Sequence, residues 1–431
     1  MSLQNSRYNL TANIFQQISS LLVAIFVPIF LGVADYAQIT LVGVLIAFVP
    51  IADLGISIIY TRQLPALYAS ENVNQIRTWN LTVMRFRLLA SLIFGGTISI
   101  YYFYRYQNGL NTFALFAMVV INIGIGFATI NATVQSDFLW IRNITTGQSL
   151  GRLTTIPLVW ISGIKGWFLG QLISICMVFF SRKTRTVLHE AMTDSSNIDW
   201  ALIKANLPEG VILSMVATLW LQMTSSGRIY ASFFYPDYVI AQYGIVGSIY
   251  LIIVSLGIAA FVPQTIKIYR LVMQDSHSAI NYAYRLILYS APIFMLASLV
   301  LVYVAPFAVD RLFPKYNVDK GLYAPLMLSL LNLAVMVTQG SLLIGMGKAK
   351  SYLTLIGLAV IAYLGFAVLF SNGTTYVAAA EAQMMALSTY SLAMVALVCY
   401  MARDGMIRTV APWLACLPSI TAPLLYFSLF R

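Results

Sequence analysis

The stretch "FVPIADLGISIIYTRQLP", residues 48–65, decides the fold. An apolar run carries a carboxylate, Asp53, follows it with Leu54-Gly55-Ile56, and breaks off at Thr61-Arg62-Gln63. Whether Asp53 serves packing or function depends on the solvent around it, and composition names that solvent. Of 431 residues, 60% are hydrophobic and 9% are charged, with a mean hydropathy of +0.83. Soluble chains carry about a quarter of their residues as charges. The chain therefore reads as a polytopic, all-α membrane protein.

A hydrocarbon core of about 30 Å needs roughly 20 apolar residues per helix. Runs of that kind lie near 9–33, 38–60, 81–104, 111–136, 146–162, 165–181, 207–230, 240–263, 284–308, 322–345, 351–370 and 376–401. A further run, 410–430, contains Pro412, Pro418 and Pro423 and reads either as a thirteenth span or as a bent interfacial segment. The N-terminus, "MSLQNSRYNLTANIF", lacks the basic start, short apolar core and cleavage site of a signal peptide, so the first helix is expected to stay as an anchor. The cysteines (Cys176, Cys399, Cys416) sit in apolar runs without paired spacing, and His189 and His277 fall in charged connections. Neither set suggests a disulfide framework, a metal centre or a cofactor.

With the N-terminus in the cytoplasm, Arg62, Arg77, Arg142, Arg182, Lys183, Arg185, Lys204, Lys267, Arg270, Lys348, Lys350, Arg403 and Arg408 fall on one side. The opposite connections hold chiefly Arg105, Lys165, Arg311, Lys315 and Lys320, so the Lys/Arg bias supports that orientation. It places the 182–206 connector and the 264–283 loop in the cytoplasm and 309–321 in the periplasm. Topology thus accounts for the net charge of +11, and no basic soluble domain offers itself to a nucleic acid.

The connector lies near the midpoint of an internal repeat. Asp35-Tyr36 returns as Asp237-Tyr238 and Leu54-Gly55-Ile56 as Leu256-Gly257-Ile258, both at an offset of 202, and "VQSDFL" at 134 answers "TQGSLL" at 338. Six spans per half make the repeat parallel, with a pseudo-two-fold along the membrane normal. The expected organisation is a six-helix bundle over 1–181, a connector over 182–206, a second bundle over 207–408 and an extra apolar segment over 409–431. The two bundles would surround a central polar cavity.

Polar side chains inside spans are costly and must face protein or water. The first span carries Asn9, Asn13, Gln16 and Ser20 at helical spacing, with Gln17 beside them. The fifth carries Gln148, Arg152 and Thr155, and the seventh Ser214, Thr218, Gln222, Ser225 and Arg228. Single hydroxyls of this kind commonly join helices. Three stripes with arginines instead indicate a hydrophilic cavity whose sugar-facing residues would be Asn13, Gln16, Gln17, Gln148 and Gln222. The intramembrane charges are Asp53, Arg152, Arg228 and Glu381, with Arg7, Arg85, Arg87, Asp137 and Glu209 nearer the cytoplasmic ends. Arg152 and Arg228 suit bidentate capture of phosphate oxygens. Arg7 and Arg85 can join them or, like Arg87, snorkel. Asp53 and Glu381 are expected either to couple an ion or to neutralise an arginine, with Arg152 the first choice for Asp53. Gly55 is expected to let two helices approach closely.

"ADLGISIIYTRQL" is similar to the second-helix signature of bacterial polysaccharide transporters, the Wzx-type O-antigen flippases of the multidrug/oligosaccharidyl-lipid/polysaccharide superfamily. "FLGVADYAQITLVG" resembles that family's first periplasmic turn, "GRIYASFFYPDYVIAQYGIVGSIY" its seventh-to-eighth helix passage, "GMGKAKSYL" its tenth-to-eleventh connection and "FSNGTTYVAAAEA" its entry to the twelfth helix. Two departures stand out. Gly227 occupies the place before Arg228 where many relatives carry Asp, and no acidic residue lies between Asn9 and Val33, where cation antiporters of the multidrug branch usually need one. The tail beyond 409 also leaves a fourteen-helix lipid II flippase as a relative to weigh.

The resemblance implies an inner-membrane flippase for an undecaprenyl-pyrophosphate-linked oligosaccharide. Membrane lipids would surround it, and a polysaccharide polymerase and a chain-length regulator would be its partners. A small-molecule exporter of the same fold is the alternative. A membrane polymerase or sugar transferase is the rival from another class, and the short loops offer no paired acidic motif for its chemistry.

Overall fold

The computed structural model describes residues 3–69, 73–135, 137–193, 198–370, 376–401 and 411–430. The side chains of Arg7, Asn9, Asn13, Arg62, Arg403 and Arg408 lie outside the described residues. Among those described there is helix and no strand, and ten helical stretches are long and apolar enough to cross a membrane. Two shorter apolar helices, Phe15–Phe30 and Leu414–Leu429, accompany them. The chain is a multi-pass membrane protein that divides into two compact units, Met1–Thr218 and Leu219–Arg431.

The first unit contains α1 (Leu3–Phe30), α2 (Val33–Ala47), α3 (Ile56–Ala69), α4 (Val73–Tyr106), α5 (Gly109–Val134), α6 (Phe138–Leu153), α7 (Thr155–Cys176), α8 (Arg182–Thr193) and most of α9 (Trp200–Met223). The 38–60 span is not one helix. After α2 a 3-10 turn, Val49–Ile51, and left-handed Leu54 (φ 51°) and Gly55 (φ 77°) interrupt it before α3 starts. Asp53 is the cause that can be named: its Oδ1 accepts the Gly55 N–H at 3.0 Å, a bond that competes with the helical ladder. Gly55 is required twice over, since a Cβ there would stand 1.9 Å from the Gly210 carbonyl oxygen on α9.

Below the break, Ile56, Ile59, Tyr60 and Leu64 of α3 join Trp79, Val83 and Met84 of α4, Phe127 of α5, Leu188 of α8 and Ile203 of α9 in one buried cluster. The first helix of the connector thus packs back onto the unit that precedes it. Asp137 caps α6 by accepting the Trp140 N–H at 2.9 Å, and Lys183 of α8 reaches its other oxygen at 2.5 Å. The same ammonium lies 5.0 Å from the Trp140 ring centroid.

Within α7 the backbone of Gly163 (φ 59°, ψ −135°) turns the chain back, in keeping with the expected boundary between 162 and 165. The resulting arms touch through glycine. A Cβ on Gly151 would meet Ser174 Cα at 2.4 Å, one on Gly166 the Leu158 oxygen at 1.9 Å, and one on Gly170 Thr155 Cα at 2.5 Å. Without a hydrophobic drive between helices in lipid, such backbone proximity supplies the packing contacts.

The second unit follows with α10 (Ser226–Phe234), α11 (Asp237–Gln274), α12 (Ser276–Leu312), α13 (Tyr323–Leu328), α14 (Leu333–Gly345), α15 (Ala349–Phe370), α16 (Ala378–Met401) and α17 (Ala411–Leu429). The segment 264–283, expected to be a loop, is helical on both sides of a single extended residue, Asp275, whose carboxylate caps α12 through the His277 and Ser278 N–H groups at 3.0 Å each. The 410–430 run forms α17 despite Pro418 and Pro423, and packs on α16, α12 and α13. At the centre of the unit, 322–343 is buried almost throughout, Asn332 and Gln339 included.

The repeat motifs fall where the offsets put them, yet they differ in conformation. Asp35 and Asp237 both lie in the first turn of the second helix of their unit. Leu256-Gly257-Ile258, however, runs through an unbroken α11, with Gly257 packed beneath Leu333 and Phe294. Ser255 stands where the first unit has Asp53, and Ile252 where it has Pro50.

Candidate functional site

The charges inside the first unit separate into two environments. Asp53 Oδ2 lies 3.1 Å from Arg87 Nε, both side chains being about nine-tenths buried. Gly126 on α5 leaves room for the guanidinium, since a Cβ there would sit 2.9 Å from Nη2. Close by in the α3–α4–α5 cluster, the Tyr60 hydroxyl bonds to Asn80 and lies 3.2 Å from Asn131 Oδ1, and Asn131 donates to the Phe127 carbonyl at 3.1 Å. The expected pairing of Asp53 with Arg152 is therefore corrected. Arg87 does not snorkel, because a carboxylate one helix away holds it inside.

Arg152 occupies the other environment. It projects from the last turn of α6 toward α1, and its Nη1 donates to Ser20 Oγ at 2.6 Å. Among the described residues no carboxylate pairs with it. Gln16 and Gln17 precede Ser20 by four and three residues on α1, and Gln148 precedes Arg152 by four on α6, so all three amides lie one turn away on the same helix faces. All are half-buried. Ser174 of α7 donates to the Gln148 carbonyl at 2.7 Å and fixes the α6–α7 seam behind them. A cation with no counter-charge among the described residues, one hydroxyl partner and neutral amides a turn away on the same two helices offers a place for an anion joined to hydroxyl-rich groups. Arg85 is half-buried on α4, two residues from Arg87 and so directed differently.

In the second unit the seventh-helix stripe is not continuous. The helix breaks at Thr224-Ser225, between Gln222 on α9 and Arg228 on α10. Backbone groups at the break go to two side chains that the sequence did not single out. Gln383 of α16 accepts the Gly227 N–H at 2.8 Å and donates to the Thr224 carbonyl at 3.0 Å, and Tyr363 donates to the Ser226 carbonyl at 3.1 Å. A Cβ on Gly227 would lie 3.0 Å from Gln383 Oε1 and 3.1 Å from the Ala379 oxygen, so an aspartate at that position would have to displace the Gln383 amide. Arg228 lines a narrow pocket with Ser225, Tyr243, Tyr250 and Gln383, with room for about one water molecule. Glu381, two residues before Gln383 on α16, is buried and accepts the Tyr426 hydroxyl of α17. The signal for Gln383 was legible only as an amide in the apolar run "EAQMMALSTYS".

No family model matches the sequence, and no curated protein matches it. Solved structures do. A lipid II flippase, MurJ, in an inward closed conformation is similar over 100% of both chains at 11% identity, with a TM-score of 0.68. An inward-facing multidrug resistance MATE family transporter of the MOP superfamily is similar over 90% of this chain and 96% of its own, at 15% identity and a TM-score of 0.59. At such identities the likeness shows the fold.

Proposed function

We propose that this protein is a flippase for a polyprenyl-pyrophosphate-linked oligosaccharide, a repeat unit of O-antigen or another surface polysaccharide. It would act in the bacterial inner membrane with its N-terminus in the cytoplasm. The observation that carries this reading is Arg152, a membrane-embedded guanidinium with a hydroxyl partner, flanking amides and no acidic partner among the described residues. The fold shared with a lipid II flippase supports it. The other arrangement a transporter of this shape could use, a carboxylate waiting for a cation, is weakened in the first unit because Asp53 already spends its oxygens on Arg87 and on the Gly55 N–H.

The physical task is to carry a diphosphate and several sugars across hydrocarbon while the prenyl tail stays in it. Arg152 would bind diphosphate oxygens as a fork, with Arg228 as the corresponding cation of the second unit. Gln16, Gln17 and Gln148 would replace water at the sugar hydroxyls. Rocking of the two units would expose the load first to one side and then to the other.

Deletion should make lipid-linked repeat units accumulate on the cytoplasmic face. Arg152→Ala should reproduce that accumulation with protein still present in the membrane, and Arg152→Lys should restore export only in part, because lysine keeps the charge and loses the fork. Full export by Arg152→Ala would overturn the reading.

A further inference from the structure

At one end of the second unit, a chain of tyrosine rings runs from the interior to the surface. Buried Tyr363 meets Tyr230 at 6.3 Å between centroids, Tyr230 meets Tyr235 at 5.5 Å, and Tyr235 meets Tyr376 at 5.2 Å and 71°. Tyr376 meets Tyr238 at 5.7 Å and 88°. Tyr363 is buried and Tyr230 and Tyr235 are half-buried, whereas Tyr376 is 39% and Tyr238 47% exposed.

The outer rings are anchored. Fully buried Tyr243 donates its hydroxyl to the Tyr376 carbonyl at 2.7 Å and accepts the Ala380 N–H at 3.1 Å, and its ring packs on Tyr235 at 6.3 Å. Three connections meet here. Gln242, one residue before, donates to the Asn317 carbonyl at 2.9 Å, and Gly321 lies against Val377. Tryptophan and tyrosine gathered at a membrane interface usually act singly, each with its polar tip in the headgroups. Edge-to-face packing that fixes the ring planes, together with backbone tethering of exposed Tyr376, is the construction of a binding surface.

The chemistry of that surface selects its ligand. Among the described residues no Lys or Arg belongs to the ring cluster, burial together with the neighbouring tyrosines pushes the Tyr235 phenol up to about 12, and the charge next to the rings in sequence, Asp237, is negative. An uncharged set of rings with hydroxyl tips suits a pyranose, whose C–H face packs on an aromatic ring while its hydroxyls bond to phenol oxygens. A diphosphate would find no counter-charge there, and a prenyl chain would leave the hydroxyls unused.

We infer that Tyr235, Tyr238 and Tyr376 form a stacking platform for sugar residues of the transported oligosaccharide. It lies at the α10–α11 end of the unit, which is the periplasmic end under the Lys/Arg orientation and hence the receiving side. The platform rests on the flippase reading for its ligand and extends it from the diphosphate to the sugars.

The test uses the full-length protein in nanodiscs. The probe is free oligosaccharide released by mild acid from the lipid-linked fraction of the cells that make it, observed by saturation-transfer NMR. Irradiating aromatic protons should transfer saturation to pyranose C–H protons. The transfer should fall by roughly fivefold or more in Tyr238→Leu/Tyr376→Leu, the scale of one stacking contact. It should persist in Tyr238→Phe/Tyr376→Phe, which keeps the rings and shows that the fold survives substitution at both positions. No transfer in the wild type, or equal transfer in the leucine variant, would assign these rings to the membrane interface alone and overturn the platform. The assay involves neither a diphosphate nor transport. Loss of transfer therefore leaves the flippase reading standing if Arg152→Ala still blocks export, and normal export in Arg152→Ala removes that reading without touching a positive sugar signal.

Discussion

Asp53 and Arg87 hold each other inside the first unit, Oδ2 to Nε at 3.1 Å, while the second oxygen of Asp53 caps the break before α3. One carboxylate thus joins a charge balance to a backbone conformation. Asp53→Asn should leave the Arg87 charge buried and unbalanced, at a cost of about 3–5 kcal/mol, read as a lower thermal midpoint in detergent. Adding Arg87→Gln should restore most of the loss, and adding Arg152→Gln should restore none. Rescue by Arg152→Gln in place of Arg87→Gln would show that the pair has been misidentified.

Glycines separate cleanly by what surrounds them. Gly55→Ala drives a Cβ into the Gly210 carbonyl at a positive φ, so the expected loss exceeds about 4 kcal/mol and little folded protein should reach the membrane. Gly96, on α4 with nothing near its Cβ position, should accept alanine with unchanged or slightly raised stability, up to about 1 kcal/mol. Comparable expression of the two variants would contradict the close α3–α9 approach.

Gln383 bridges the two sides of the α9–α10 break through two buried bonds. Gln383→Ala should cost about 2–4 kcal/mol, two unsatisfied backbone groups at about 1–2 each. Gln383→Glu keeps the acceptor for Gly227 and loses the donor to Thr224, so its unfolding midpoint should fall between those of the alanine variant and the wild type. A glutamate variant as stable as the wild type would mean that the Thr224 bond contributes nothing.

Asp137, outside the spans, has a pH signature. Burial would raise its pKa, but hydrogen bonds from Lys183 and the Trp140 N–H outweigh burial and hold it below its ordinary 3.8. A depressed carboxylate contributes stability above its unfolded value and loses it as pH falls through the folded one. Asp137→Ala should therefore destabilise by about 1 kcal/mol at neutral pH, and the gap from wild type should close only below about 3.8. A gap that closes near pH 6 would implicate another group.

Much of the fold was legible because bilayer physics is strict. Long apolar runs, the turn between 162 and 165 and the repeat offsets all lie where composition and register put them. What the sequence concealed was conformation inside those runs. Leu-Gly-Ile reads alike in both halves, and only the neighbouring Asp53 and Pro50 turn one copy into a break. The connection at 264–283 looked like a loop because its charges were read as solvent-facing coil, whereas they decorate helices that extend past the apolar run. Arg87 was indistinguishable from a snorkelling arginine until α3 placed a carboxylate beside it. Arg152 was singled out because it lies on a polar stripe, and its role is the one proposed above; Gln383 was passed over because its partners are backbone groups released by a break that no side-chain pattern announces.

The unequal fate of Leu-Gly-Ile gives the two units different mechanics. A helix interrupted by a 3-10 turn and two left-handed residues has a joint, and the opposing backbone of Gly210 serves as its bearing. Its counterpart, α11, runs 38 residues as one helix without such a joint, Pro263 being its interior proline. In the transport proposed above, two halves of one repeat would be expected to share the change of shape, but a jointed segment and a continuous one bend differently. A chimaera carrying the first unit twice would have two elbows, and one carrying the second unit twice would have none.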